Sequence, residues 1–248
     1  MRALFSLLML LAGITSAAAA DLKLLTAGAY KPAAQEIAAA FEKKTGHKVT
    51  IESDTAGGVS KRIAAGEYFD IAVIPPLVLG PYLGSRIDES SAKAVARVGI
   101  GVAVKQGAAK PDISTVDSWK QALLAARMIA YVDPELGGSS GIYLAHLFEK
   151  MGIAQQLKPR TLLVKGGLVA EKVASGEAEI GLQQVSELMA VPGVVLVGPI
   201  PLDVQYDTLY SAGISVATRN RAAADQLLLA LADPENAKIL HSKGLHAP

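Results

Sequence analysis

Not one of the 248 residues is cysteine. That absence excludes disulfides, thiolate metal sites, a cysteine nucleophile and a lipid-modified cysteine tether. Histidine is nearly as scarce: His47, His146, His241 and His246 are the whole set. They make no metal-ligand pattern, so no metal is expected, and His146 reads as a structural residue on a helix. Neither sign of charge is in excess, with 24 Lys+Arg against 23 Asp+Glu. Without a basic surplus or stripe, nucleic acid is not an expected partner. Aromatic residues are only 5% of the chain. Beyond the first twenty residues, no apolar run approaches the roughly 20 residues that span a bilayer.

Those first twenty residues have their own grammar. Arg2 supplies a positive start, residues 3–14 an apolar stretch, and Ala18, Ala19 and Ala20 a small-residue cleavage pattern. The segment 1–20 is expected to be a cleaved export signal, leaving a periplasmic protein that begins at Asp21. The remainder has 23 Lys+Arg against 23 Asp+Glu. At about 228 residues it is long enough for one large or two small domains with real cores.

Strand-like and helix-like segments alternate along the rest. Short apolar runs at 22–25, 48–53, 71–74, 98–104, 128–132, 161–164, 180–183, 194–197 and 210–218 predict strands. Helical spacing predicts helices over 32–45, 59–65, 77–84, 118–126, 142–151, 168–174, 221–231 and 234–241. This is the pattern of an α/β protein whose parallel or mixed sheets carry helices on both faces. In such sheets ligands sit beyond the C-terminal ends of strands, where loops meet helix N-termini.

Four glycine-containing loops occupy those positions: 26–31, 55–58, 137–141 and 165–167. The third is the most informative, running Asp133-Pro-Glu-Leu-Gly-Gly-Ser-Ser-Gly-Ile-Tyr143. Glycine lets backbone N–H groups approach a ligand at the positive end of a helix, and Ser139 and Ser140 add donors. An ordinary turn with a serine N-cap is the plain alternative. The candidate ligand-binding residues are Ala29, Tyr30, Lys31, Gly57, Gly58, Ser139, Ser140, Gly141, Lys165, Gly166, Gly167, Gln183 and Gln184. Together they are expected to converge on one small anion.

The chain resembles the periplasmic molybdate-binding-like, extracellular solute-binding proteins of ABC transporters. The resemblance covers essentially all of the chain after the leader. It rests on Thr26-Ala-Gly-Ala-Tyr30, on Phe41-Glu-Lys-Lys-Thr-Gly46 and on Lys61-Arg-Ile-Ala-Ala-Gly66 followed by Asp70-Ile71. Asp133-Pro-Glu with Ser140-Gly-Ile-Tyr143 is its most specific part. It implies a type II periplasmic-binding-protein fold, with two α/β lobes joined by two crossing strands and a ligand cleft between. The crossings would be 102–104 and 210–215. Lobe 1 would comprise 21–104 and 201–248, and lobe 2 would comprise 105–200. A monomer that works with an ABC permease, and needs no cofactor, is implied.

The molybdate pattern itself carries over poorly. Ala29 stands where the family has a serine hydroxyl, Ala56-Gly57-Gly58 where its second loop is serine-rich, and Gln184 where it has a tyrosine. Lysines and longer polar side chains take the place of the hydroxyls, a set that suits carboxylates. The favoured expectation is therefore a non-catalytic receptor for an organic di- or tricarboxylate, since no nucleophile–base pair is evident. The resemblance extends to aconitate isomerase, which interconverts trans- and cis-aconitate. On that alternative, Lys165, Lys31, Tyr30 and Asp133 are the candidate catalytic groups, with Tyr206 and Asp207 behind them. Asp133 also reads as a turn residue before Pro134. A receptor for molybdate, tungstate or sulfate stays open through the backbone cradle alone.

Overall fold

Apolar runs and amphipathic stretches fold in turn as strands and helices. A computed structural model describes residues 19–248, so all of the expected leader except Ala19 and Ala20 lies outside the described residues. The first part runs β1 (Asp21–Ala27), α1 (Lys31–Thr45), β2 (Lys48–Asp54), α2 (Ala56–Ala64), β3 (Ile71–Ile74), α3 (Pro76–Leu79) and β4 (Lys93–Val98). The middle runs β5 (Ile100–Lys105), α4 (Val116–Ala125), β6 (Ile129–Val132), α5 (Ser139–Lys150), α6 (Ala154–Leu157), β7 (Thr161–Val164), α7 (Val169–Ser175), β8 (Ile180–Gln184), α8 (Val185–Met189) and β9 (Val194–Pro199). β10 (Thr208–Ile214), α9 (Arg221–Leu231) and α10 (Ala237–Ser242) complete the chain.

The strands form two five-stranded mixed sheets, ordered β2-β1-β3-β10-β4 and β7-β6-β8-β5-β9. In each, three parallel strands meet an antiparallel strand delivered from the other side of the molecule: β10 against β3, and β5 against β8. This is the two-lobed type II binding-protein fold. All four residues of β3 are buried, as in a parallel strand with helices on both faces. β8 is buried throughout as well, yet it ends in Gln183 and Gln184. Two buried amides at the C-terminal end of a central strand mark where the fold places a ligand.

The crossings lie elsewhere than at 102–104 and 210–215. Residues 102–104 are inside β5, paired in the second sheet, and 210–214 are inside β10, paired in the first. The chain passes between sheets at Gly99 and again over 200–207, so residues 100–104 belong with the second sheet. The continuous apolar run from Val98 hides this step, because only Gly99 interrupts two strands that join different sheets. The two passages are fastened together by Gln205, whose Oε1 accepts from the Ile100 N–H at 2.8 Å and whose Nε2 donates to the Ile100 carbonyl at 2.9 Å.

Asp70 anchors the first lobe from within. It is fully buried and accepts from the Lys23 N–H at 2.8 Å and from the Tyr68 hydroxyl at 2.7 Å, with Thr218 donating as well. Those partners belong to β1, to the turn before β3 and to the segment that leads into α9. Removing the carboxylate deprives three partly exposed donors of a buried, charged acceptor, each such bond being worth about 1.5–3 kcal/mol. Asp70→Ala is therefore expected to lower unfolding free energy by about 3 kcal/mol or more in urea titrations.

Candidate functional site

The two lobes enclose a cavity of about 570 Å³ between the C-terminal ends of their parallel strands. The first lobe contributes the turn before α1 and the junction of β2 with α2. The second contributes the starts of α5 and α7, the two glutamines of β8, and α8. Ala29, Lys31, Ser139, Ser140, Lys165, Gly166, Gly167, Gln183 and Gln184 all line it. Nine of the thirteen candidate residues thus line one cavity.

The four helix starts differ in what they leave open. α1 and α5 have no side-chain cap. The N-cap of α5 is Gly138, so Ser139 and Ser140 are its first helical residues rather than its cap. The Lys31 N–H is spent on the Gly28 carbonyl and Pro32 has none, so the first lobe's donors lie in the turn 28–30 before α1 and the second lobe's in the first turn of α5, the geometry that holds anions. α7 is closed by its own lobe, since the Gln183 Oε1 accepts from the Val169 N–H at 2.9 Å and Glu171 lies over Gly167. α2 is closed too: the Thr55 side chain accepts from the Gly58 N–H at 2.9 Å, and the Gly57 N–H donates to the Gly137 carbonyl at 3.0 Å. Asp54 accepts from the Thr55 N–H at 2.7 Å and folds its carboxylate over Gly58, where any Cβ would overlap it.

The cations sit toward the rim. Lys31 lines the cavity, and among the described residues it takes no carboxylate partner. Lys165 is well exposed, with its Nζ 3.9 Å from the buried Asp133 carboxylate.

A carboxyl that no sequence motif marks, Glu187 on α8, faces the same cavity. It lines the cavity with Tyr210 of β10 beneath it. One carboxylate oxygen lies against Gly28, so close that a Cβ there would stand 2.6 Å from it. Its remaining exposure opens into the cleft, while protein from both lobes removes it from water. Burial pushes its pKa up to about 7, opposed by a hydrogen bond with Gln183. With the Gln184 amide oriented to donate, its nitrogen reaches the Glu187 Oε2 at 3.1 Å and the Ser140 Oγ at 2.8 Å, and its oxygen accepts from the Ser140 N–H at 3.3 Å, leaving the Ser139 N–H as the donor of α5 nearest the cavity. Tyr210 is buried, and its hydroxyl makes no hydrogen bond among the described residues. Burial and the neighbouring Glu187 raise its pKa well above the ordinary phenol value.

Several expected residues lie elsewhere. Tyr30 points into the first lobe's core, fully buried, with its hydroxyl 3.4 Å from the Leu231 carbonyl. It sits in a tight turn whose next residue begins α1, so its side chain turns inward with the apolar face of that helix. Gly57 and Gly58 spend their N–H groups within the protein, as described above. Gly141 is a packing glycine, because a Cβ there would lie 2.2 Å from the Val132 carbonyl oxygen. Asp133 is a turn residue whose side chain accepts from the Glu135 N–H at 3.0 Å. Tyr206 stacks on Tyr143 with centroids 4.9 Å apart, and Asp207 pairs with Arg97 at 2.6 Å. Neither reaches the cavity. Among the described residues, no group of three or more His, Cys, Asp or Glu side chains is placed to hold a metal ion.

Residues 22–246 match the model of the bacterial extracellular solute-binding protein family. Aconitate isomerase from a Pseudomonas species is 36% identical over 231 residues, which span 90% of this chain and 87% of that protein. The periplasmic molybdate-binding protein of Azotobacter vinelandii superposes with a TM-score of 0.76 at 21% identity, covering 92% of this chain and 99% of the other. The sulfate-binding protein of Mycobacterium tuberculosis does so with a TM-score of 0.73 at 14% identity, covering 92% and 87%. The chain belongs to the bacterial extracellular solute-binding protein family.

The raised pKa of Glu187 links stability to pH. In the unfolded chain the group titrates near 4.3, and in the folded protein near 7, so the native state holds the extra proton between those values. Stability should therefore fall as pH rises from about 4.5 to 7, and level off above. Glu187→Gln lacks this loss. Its melting temperature should match the wild type near pH 4 and exceed it at pH 8, by a margin worth at most about 4 kcal/mol. Equal melting temperatures at both pH values would contradict the assignment.

Proposed function

We propose that the chain is a cofactor-independent isomerase of an unsaturated tricarboxylate, of the aconitate isomerase kind, acting in the periplasm after cleavage of its leader. The observation that carries this reading is Glu187, a carboxyl held near neutrality at the floor of an anion-lined cleft. In a receptor the protonated form is one more donor to the anion, while the ionised form repels it. An enzyme that moves a proton on carbon gains from it, because a base works best with a pKa near ambient pH. The 36% identity to aconitate isomerase over most of both chains supports the same choice.

The reaction is an allylic shift with no net redox change. The Glu187 carboxylate takes a proton from the methylene carbon of trans-aconitate, and the electron pair delocalises through the double bond into the terminal carboxylate. Protonated Glu187 then returns a proton to the carbon that was vinylic, and the double bond reforms in its new position with cis geometry. The turn 28–30 and the first turn of α5 hold carboxylates, and Lys31 and Lys165 offset the charge that builds on the conjugated one. Gln183 and Gln184 orient Glu187, and the free Tyr210 hydroxyl beside it is a further donor to the substrate. Asp133 positions Lys165.

A second reading is a receptor that captures a small carboxylate or oxyanion and delivers it to an ABC permease. Its support is the family itself and the likeness to molybdate- and sulfate-binding folds.

Proton NMR of trans-aconitate incubated with the purified protein and a chelator separates the two. The isomerase reading expects cis-aconitate to accumulate to equilibrium. Glu187→Gln should lower that rate by about 10²–10⁴-fold, the usual contribution of a general base, while still binding the substrate. Lys165→Ala should weaken binding and turnover together. Wild-type protein that binds trans-aconitate and leaves it unchanged would overturn the isomerase and leave the receptor.

A further inference from the structure

Around the cavity the two lobes also touch each other directly, and one of those contacts uses the expected second anion loop. The Gly57 N–H of α2 donates across the cleft to the Gly137 carbonyl at 3.0 Å. The Thr55 hydroxyl donates to the Leu136 carbonyl at 2.5 Å while accepting from the Gly58 N–H. The approach leaves no space for a side chain. A Cβ on Gly57 would stand 2.8 Å from the Gly137 Cα and 2.9 Å from the Leu136 carbonyl oxygen, and both are backbone atoms that cannot swing aside. Gly137 has a second reason to be glycine, its φ of +75°. Gly57 does not: it lies inside a helix, where alanine is the better helix former. The lobe alone would gain from alanine at this position, so the demand for glycine comes from the opposite lobe.

We propose that the turn 55–58 is an interlobe clasp, and that Gly57 and Thr55 are positioning residues that set how far and how long the cleft closes. Donors at the start of α2 that would otherwise face an anion are committed to the backbone of the other lobe. Closure then draws on protein–protein hydrogen bonds as well as on ligand contacts, and the ligand is left to the turn 28–30 and the first turn of α5. A clasp of this kind governs release of whatever the cleft holds, whether the anion is turned over or handed on.

The lack of native cysteine makes a direct test simple. Dyes on Lys44→Cys and Lys150→Cys, exposed positions at the far ends of α1 and α5, report the distance between lobes by single-molecule energy transfer. The wild type, Gly57→Ala, Thr55→Val and Thr55→Ser are compared alone and with saturating trans-aconitate, molybdate or sulfate. Gly57→Ala and Thr55→Val should lower the closed-to-open ratio at least tenfold wherever the wild type closes, and Thr55→Ser should restore it. Gly57→Ala should keep or raise the melting temperature of the free protein, which separates lost closure from misfolding. Equal ratios in wild type and Gly57→Ala, or a wild type that closes under none of these conditions, would overturn the clasp. Turnover is not read in this experiment, so its result is independent of the isomerase reading.

Discussion

Placing a carboxyl between two lobes, away from water, is the constraint on which the site turns. Glu187 can sit there only because its surroundings are arranged for it. Gly28 has no side chain to exclude it, and Gln183 and Gln184 give it hydrogen bonds from the end of β8. The base of α8 is itself fixed to the other lobe, where the Ser186 hydroxyl donates to the Ala29 carbonyl at 2.8 Å. One short helix thus carries the titratable group and the contact that locates it against the first loop. Low-dielectric surroundings raise the proton affinity of the carboxyl, and the same surroundings strengthen its interaction with any bound anion.

The charge logic of the cleft follows from which helix ends remain open. Four starts converge on the cavity; those of α2 and α7 spend donors on protein groups, while the turn 28–30 before α1 and the first turn of α5 face the cleft. Asp54 and Thr55 close α2, and Gln183 with Glu171 closes α7. One cleft-facing turn comes from each lobe, so an elongated anion with carboxylates at separate positions bridges them better than a compact oxyanion does. Lys31 and Lys165 add mobile charge at the rim, where solvent screens it and where it attracts more than it orients.

Much of this was legible in the residues, and the failures have physical causes. The alternation of buried runs and amphipathic stretches, punctuated by glycine, carries the two-sheet architecture, and strand-to-helix loops locate the cavity. Tyr30 was misplaced because one residue of turn decides between cleft and core, and pattern alone does not resolve that. Gly57 and Gly58 look like an anion cradle locally, but their donors are consumed by Thr55 and a loop 80 residues further on. Glu187 was missed because α8 is five residues long and follows β8 with no breaker between them. Its one trace was the pair Gln183-Gln184, two amides at the end of an apolar run that need polar company when buried.

The role proposed for Glu187 requires its carboxyl to stay protonated toward neutral pH, which infrared difference spectroscopy reads directly. A titration from pH 4 to 9 should show a protonated carboxyl band that persists past the ordinary carboxylate range, fades with a midpoint near 7, and is absent from Glu187→Gln. Loss of the last protonated carboxyl by pH 5 in the wild type, with no difference between the two proteins, would contradict it.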